Sequence, residues 1–282
     1  MITGGNSGIG FEAARMLARA GGDVILAVRD TAKGNRAAAE IPSGAEVRRL
    51  DLASLDSVRA FARDTTESFD VLINNAGIMA PPFSRTAEGF ETQFGVNHLG
   101  PFALTNLLLP KIGDRVVTVS SGAHRMGRID LADLNWKRRR YRRWNAYGQS
   151  KLANLLFTLE LERRLTATGS GVRALAAHPG YSATNLQFHY GNPVADRLMG
   201  LGNRFFAQSA EMGALPLVYA ATQDLPGGSY VGPNGRTEKR GYPTLVGRSA
   251  EASDVAMAER LWEESEKLTG VPFPDSPTPP AN

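Results

Sequence analysis

The sequence of 282 residues contains no cysteine, only four histidines and no long hydrophobic run. Without cysteine the chain can form no disulfide, no thiolate metal site and no cysteine nucleophile. The histidines show neither HExxH nor another close ligand spacing, so we expect no bound metal; they are His98, His124, His178 and His189. No apolar segment approaches the roughly 18 residues that cross a bilayer, and no signal-peptide pattern is found. We therefore expect a cytoplasmic protein with no transmembrane segment.

Charge and composition indicate an ordinary globular chain. Hydrophobic residues make up 42% and charged residues 21%, which suits one large α/β domain. The net charge of +4 is only mildly basic and does not by itself imply a nucleic-acid partner. We expect a small-molecule partner and no nucleic acid.

Strand-like and helix-like apolar patterns alternate along most of the chain. Strands are predicted at 23–28, 46–50, 71–74, 115–119 and 172–177, and helices at 9–20, 31–40, 55–68, 91–109, 147–165, 210–221 and 250–268. This order predicts one α/β domain over 1–270, a Rossmann-type doubly wound parallel sheet with helices on both faces. Ligands bind such sheets outside the carboxyl ends of the strands.

Three segments depart from this pattern. Only Met1 and Ile2 precede the first glycine turn, so we expect a truncated first strand and unpaired backbone on its two neighbours. The proline-rich tail 271–282 is predicted to be disordered. The irregular segment 181–208 is predicted to form the substrate loop. Its apolar side chains either line a lipophilic pocket or pack on the sheet; they are Phe188, Tyr190, Leu198, Met199, Leu201, Phe205 and Phe206.

A glycine-rich turn opens the first predicted helix. Glycine at positions 4, 8 and 10 lets the backbone approach a pyrophosphate, and the amides of the helix N-terminus then face the anion. The turn therefore predicts a dinucleotide site, with a purely structural turn as the alternative. The candidate contacts are Gly4, Asn6, Ser7, Gly8, Ile9 and Gly10.

The residues after the next predicted strand distinguish NADP from NAD. An acidic residue about 20 positions beyond the glycine motif holds the ribose 2′-hydroxyl of NAD, whereas an arginine pairs with the 2′-phosphate of NADP. Here Arg29 follows the strand directly and Asp30 comes next. Arg29 favours NADP unless it is only a solvated loop residue, and Asp30 keeps NAD as the alternative.

Two further strand ends carry polar residues. Asp51, followed by Leu52, can accept a hydrogen bond from the adenine amino group, or it caps a helix or turn. Two side-chain amides and a glycine in Asn74, Asn75, Ala76 and Gly77 suit close contact with the cofactor ribose, or these residues form a strand-to-loop turn. The sequence leaves both pairs of alternatives open.

Tyr147 and Lys151 carry the predicted chemistry. Residues four apart lie on one face of a helix, one turn from each other. An ammonium at that distance would lower the pKa of tyrosine from about 10, so that Tyr147 acts as general acid or base on a carbonyl or alcohol. Lys151 can also hydrogen-bond the nicotinamide ribose, so both residues are expected at the cofactor. Ser121 follows a strand and can hydrogen-bond the substrate oxygen. Asn97 belongs either to a buried water relay from Lys151 or to the core as a satisfied amide.

Together these motifs resemble the short-chain dehydrogenase/reductase family over nearly the whole chain. The family pattern falls on Gly4, Gly8, Gly10, Asp51, Asn74 to Gly77, Asn97, Ser121, Tyr147 and Lys151. The register of the sequence VVTVSS favours Ser121 over Ser120 as the catalytic serine. The resemblance also implies a Pro179-Gly180 turn, followed by Thr184 at the nicotinamide carboxamide.

Shorter runs resemble the retinol dehydrogenase and WW-domain oxidoreductase-like branch of this family. They are 96–100, 120–124, 146–154 and 178–180. This resemblance implies NADP(H) and apolar aldehydes, ketones or alcohols, as in a carbonyl reductase. The family often pairs subunits through two long helices, here 91–109 and 147–165, so a homodimer or homotetramer is expected.

A basic run lies between Ser121 and Tyr147, outside the family pattern. Residues 137–144 read KRRRYRRW. Such a run binds a phosphate backbone or anionic lipid, favours substrates with a carboxylate or phosphate tail, or forms a solvated loop. Two functions therefore stand beside the enzyme: a catalytically silent NADP-binding regulator and an anionic-surface binding protein.

Overall fold

The computed structural model describes residues 1–181 and 209–275. Over these residues the centre is an eight-stranded sheet in the order β3-β2-β1-β4-β5-β6-β7-β8, parallel except for β8. The strands are β1 (Ile2–Thr3), β2 (Ile25–Val28), β3 (Glu46–Arg49), β4 (Phe69–Asn74), β5 (Ile112–Val119), β6 (Arg173–Ala177), β7 (Tyr230–Pro233) and β8 (Pro243–Leu245). The helices are α1 (Gly8–Arg19), α2 (Thr31–Ala39), α3 (Leu55–Asp64), α4 (Thr92–Phe94), α5 (Gly100–Leu108), α6 (Arg143–Ala167), α7 (Ala210–Thr222) and α8 (Val255–Thr269).

The first strand is short, as expected, but it does not interrupt the sheet. Ile2 pairs with Leu26 of β2 on one side and with Ile73 of β4 on the other. Ile2 is buried, and the hydroxyl of Thr3 accepts hydrogen bonds from two backbone amides that follow β4. The prediction of unpaired backbone on the neighbouring strands is therefore wrong, because two residues are enough to pair with both.

Helices cover both faces of the sheet and bury two apolar layers. Helices α1, α2 and α7 pack on one face, and α3, α5, α6 and α8 pack on the other. Successive strand side chains point to opposite faces, so Leu72 and Ile73 of β4 belong to different layers. The carboxyl ends of the parallel strands meet at one edge, where the predicted motifs lie.

Two parts of the predicted pattern differ from the structure. The predicted helix 91–109 is divided into α4, a π-helical segment Gly95–Leu99, and α5. Such wider turns are frequent at functional sites, and this one contains Asn97. The sequence pattern did not predict β7 and β8, because both are short and contain proline, which weakens a strand signal.

The C-terminal helix α8 lies across α5 and α6. Trp262 packs against Phe102 and Phe157, with ring centroids 4.8 and 5.7 Å apart. His98 Nε2 and Ser265 Oγ are 2.9 Å apart and join the π-helical segment before α5 to α8. Helix α8 therefore covers much of the surface through which the family resemblance expected subunits to pair.

The start of the predicted tail also packs on α8. Val271 is buried, and the amide of Phe273 donates to the carboxylate of Glu266 at 2.9 Å. Disorder was predicted for these residues, but they have apolar and hydrogen-bonding partners. Residues 276–282 lie outside the part of the chain that the structure describes. None of the helices described is long and apolar enough to cross a membrane.

Candidate active site

The glycine turn joins β1 to α1 and leaves the start of α1 open. Gly4 and Gly8 have φ angles of +67° and +57°, which side chains rarely adopt. Ser7 precedes α1 and makes no side-chain hydrogen bond to the first amides of the helix. These amides and the positive end of the helix dipole form a site for an anion such as a pyrophosphate. The turn contains the six residues predicted there: Gly4, Asn6, Ser7, Gly8, Ile9 and Gly10.

Asn75 holds this turn in place, whereas the sequence grouped it with Asn74 at the cofactor ribose. Its side-chain nitrogen donates to the carbonyl oxygens of Thr3 at 2.9 Å and Gly4 at 3.4 Å. A Cβ atom on Gly10 would lie 2.3 Å from the same nitrogen. The neighbouring amides at 74 and 75 were the available signal, but only the structure shows which of them faces the turn.

Three of the predicted cofactor residues have structural partners of their own. Asp51 accepts a hydrogen bond from a backbone amide two residues later at 3.0 Å, as the turn alternative predicts, and Leu52 is buried. Asn74 is buried, and its side-chain nitrogen donates to the hydroxyl of Thr105 at 2.8 Å. The side chain of Asn74 therefore anchors β4 to α5. At the predicted cofactor site, the part of this segment that follows the strand end is the adjoining backbone.

Arg29 and Asp30, the two residues after β2, differ in their hydrogen-bond partners. Arg29 is exposed directly after β2. Asp30 caps α2 by accepting a hydrogen bond from the amide of Lys33 at 3.0 Å, and this bond lowers the pKa of the Asp30 carboxyl. The acidic residue that kept NAD as an alternative thus has a structural partner.

Tyr147 and Lys151 lie one turn apart on α6, and both are buried. Lys151 Nζ is 5.7 Å from the centroid of the Tyr147 ring and donates to the carbonyl oxygen of Val119 at 3.0 Å. Burial raises the pKa of Tyr147 to about 12 and lowers the pKa of Lys151 to about 8. The pKa of Tyr147 therefore differs from the predicted lowering, because burial removes the phenol from water and disfavours its ionised form.

The two serines that follow β5 have different partners. The hydroxyl of Ser121 hydrogen-bonds Tyr147, which partly offsets the burial that raises the pKa of the phenol. The hydroxyl of Ser120 is buried and donates to the carbonyl oxygen of Lys151 at 2.8 Å. Nδ1 of His124 lies 2.7 Å from the carbonyl oxygen of Ser121 and steadies the turn. Of the two serines, Ser121 is therefore the one whose hydroxyl reaches the phenol.

Asn97 lies in the π-helical segment and is buried. Its Oδ1 accepts from the amide of Ile78 at 2.8 Å, and its Nδ2 donates to the Ile78 carbonyl and to Ser150 Oγ, both at 2.9 Å. Ser150 donates in turn to the carbonyl oxygen of Tyr147 at 2.8 Å. These contacts fit the core-amide interpretation and connect the loop after β4 to the helix of Tyr147.

The loop after β4 also approaches the catalytic helix. A Cβ atom on Gly77, the residue after Ala76, would lie 3.1 Å from Asn97 Oδ1 and 3.6 Å from Lys151 Nζ. This tight approach favours glycine and brings the predicted ribose loop close to Lys151. The open start of α1, the bare backbone at Gly77 and the nearby ammonium together fit a nicotinamide dinucleotide.

The turn after β6 is tied to the C-terminal part of the chain. Gly180, which follows Pro179, has a φ of +66°, and a Cβ atom there would lie 2.6 Å from the carbonyl oxygen of Lys239. His178 Nδ1 accepts from the Gly180 amide at 3.2 Å, and its Nε2 lies 3.3 Å from the carboxylate of Glu238. Thr184, the residue predicted at the carboxamide, lies outside the described residues.

The basic run 137–144 is partly built into the fold. The carboxylate of Asp133 accepts hydrogen bonds from the backbone amides of 137–139. The guanidinium of Arg139 stacks 3.8 Å above the ring of Trp136 and donates to Gln149 Oε1 at 2.5 Å. Arg139 is therefore a structural residue and not part of a freely solvated charge cluster. No group of three or more side chains suited to hold a metal occurs in residues 1–181 and 209–275.

Comparisons with known proteins agree with this geometry. The model of the short chain dehydrogenase family matches residues 1–193. Retinol dehydrogenase 13 of Homo sapiens is 44% identical, with 97% of this chain and 85% of that protein covered. Polyprenol dehydrogenase of Mus musculus is 41% identical, with 98% and 85% covered. An uncharacterised protein of Mycobacterium Paratuberculosis, solved by crystallography, is 56% identical with a TM-score of 0.84, and 97% and 93% of the two chains are covered.

The sheet order and the cluster of serine, tyrosine and lysine define a Rossmann-type oxidoreductase. The chain belongs to the short-chain dehydrogenase/reductase family, in its retinol dehydrogenase-like branch. It is an enzyme that transfers hydride between CH–OH or C=O groups and a nicotinamide cofactor, NAD(P).

Proposed function

We propose that the enzyme reduces a lipophilic carbonyl compound with NADPH, or oxidises the corresponding alcohol, with Tyr147 as general acid or base. The observation that carries this proposal is the buried Tyr147, with Ser121 hydrogen-bonded to its phenol and Lys151 one turn away. The names of the relatives, retinol and polyprenol dehydrogenase, support an apolar substrate.

Each of these side chains has a separate task in carbonyl reduction. The nicotinamide, when bound, supplies the hydride to the carbonyl carbon. Tyr147 donates its proton to the carbonyl oxygen, and the high pKa of the buried phenol keeps that proton in place at neutral pH. The Ser121 hydroxyl donates to the same oxygen as negative charge develops. Lys151 holds the cofactor ribose and supplies positive charge below its pKa of about 8.

The preference for NADP rests on the end of β2. Asp30 is engaged in the cap at the start of α2, and the exposed Arg29 directly after β2 is the cation proposed to bind the 2′-phosphate. Arg29→Asp should therefore raise KM for NADPH by about 10-fold or more, and should change KM for NADH far less. Equal changes for both cofactors would show that Arg29 does not bind the phosphate.

The catalytic assignment is tested with Tyr147→Phe. Removal of a general acid lowers turnover by roughly 10²-fold to 10⁴-fold, and phenylalanine fills the same buried space. NADPH oxidation is measured with a panel of aldehydes and ketones that includes retinal, and the Kd for NADPH is measured by its fluorescence. We expect lost turnover with nearly unchanged NADPH binding. Turnover retained at the wild-type level would contradict the role of Tyr147.

A further inference from the structure

A cavity of about 570 Å³ lies at the N-terminal end of α6, outside the residues used above. Drug-sized ligands occupy cavities of this size. The cavity is lined by Pro82, Tyr141, Arg142, Arg143, Trp144 and Asn145. These side chains are aromatic, neutral or cationic, and none is acidic.

Trp144 connects this cavity to the reacting group. The rings of Trp144 and Tyr147 meet edge to face, with centroids 6.2 Å apart. The two residues are three apart on α6 and therefore lie on the same side of the helix. A molecule whose carbonyl lies at Tyr147 can extend its body along Trp144 into the cavity.

Partly buried contacts hold one wall of the cavity in place. The phenol of Tyr141 donates to the carboxylate of Glu91 at 3.1 Å and accepts from Gln93 Nε2 at 2.8 Å. The ring of Tyr141 also meets that of Trp136 edge to face, at 5.6 Å between centroids. These contacts hold Tyr141, the residue just before Arg142, in the wall of the cavity.

Arg142 supplies a positive charge to the lining of the cavity. It is exposed, and within residues 1–181 and 209–275 no carboxylate forms an ion pair with it. It precedes the first residue of α6, where the positive end of the helix dipole adds to its potential. Tyr147 lies five positions after Arg142, which is roughly 7–8 Å along the helix axis.

We propose that the substrate is an amphipathic carbonyl compound: an apolar or aromatic body lies against Trp144, and an anionic group, a carboxylate in the first instance, pairs with Arg142. This inference rests on the proposed function and adds a substrate class to it. The arginine fork binds a carboxylate through two parallel hydrogen bonds, whereas an ester of the same shape lacks the charge.

The test compares a carboxylate with its ester. Para-formylbenzoate and its methyl ester, with their longer biphenyl homologues, are reduced by NADPH with wild-type enzyme, Arg142→Gln and Arg138→Gln. Arg138 is exposed in the same loop, so its variant removes the same charge outside the cavity. We expect Arg142→Gln to raise KM for the carboxylates about ten-fold, well beyond its effect on the esters. Equal effects on acid and ester, or an equal effect of Arg138→Gln, would overturn the inference.

A binding experiment separates this inference from the proposed function. Para-toluate has no aldehyde, and its binding is followed by the fluorescence of Trp144, with Trp144→Phe identifying the signal. If the aldehydes are not reduced but para-toluate binds and binding is lost in Arg142→Gln, the proposed function fails and the anion site stands. If the aldehydes are reduced but para-toluate does not bind and the esters are preferred, the proposed function stands and the anion site is wrong.

Discussion

Replacement of Gly10 by alanine tests whether the turn held by Asn75 forms the dinucleotide site. The new Cβ would lie 2.3 Å from Nδ2 of Asn75 and 2.8 Å from the carbonyl oxygen of Gly4. Both contacts are too short, so Asn75 must move and lengthen its hydrogen bonds to Thr3 and Gly4. Overpacking of this kind costs about 1–3 kcal/mol. If the strain falls on the bound conformation, the Kd for NADPH rises by roughly 5-fold to 150-fold.

The Kd for NADPH is measured by titration of its fluorescence. Gly171→Ala is the matched control, since a Cβ atom there has no neighbour within 4 Å. In an Asn75→Ala background the additional effect of Gly10→Ala should shrink, because the nearer of the two clashes has been removed, and a double-mutant cycle measures that coupling. An unchanged Kd in Gly10→Ala, or an equal loss in Gly171→Ala, would refute the reasoning.

Four further predictions follow from the site and the core. Burial lowers the pKa of Lys151 to about 8, so kcat/KM for NADPH in carbonyl reduction should fall as the pH rises through that value; a profile flat to pH 10 would contradict this. Ser121→Ala should lower kcat at least ten-fold, whereas Ser120→Ala, which removes one hydrogen bond to the backbone, should lower the free energy of unfolding by about 1 kcal/mol. Trp262→Ala should lower that free energy by about 3–5 kcal/mol in urea titrations. Because α8 covers α5 and α6, light scattering of the wild type should give a monomer mass; a dimer that persists on dilution would show pairing through another surface.

Much of the fold was predictable because hydrophobic periodicity is a local property. The strand 115–119 and the helix 147–165 are continuous apolar patterns, and the structure extends them only to Ile112–Val119 and Arg143–Ala167. Strands β7 and β8 were not predictable, because four and three residues with proline carry almost no pattern. Their pairing depends on contacts with distant parts of the chain, Ala176 with Tyr230 among them.

The same distinction applies within the site. The four-residue spacing of Tyr147 and Lys151 and the glycine turn are local, so the sequence alone indicates a hydride-transferring enzyme. Where two adjacent residues have the same chemistry, their roles depend on the direction in which each side chain points. Asn74 and Asn75 lie next to each other, yet one anchors α5 and the other holds the glycine turn. No spacing rule separates two adjacent amides at the end of a strand.

The sequence by itself determined the class of this protein, since a parallel α/β order and a turn of glycines impose the same fold and the same anion site wherever they occur. Tertiary structure decided what local patterns do not encode. Packing buried Tyr147 and Lys151 and moved both pKa values away from their ordinary positions, because desolvation depends on the whole surrounding shell. Packing also engaged Asp30 in a helix cap, placed α8 over α5 and α6, and formed the cavity beside Trp144 from segments far apart in the chain.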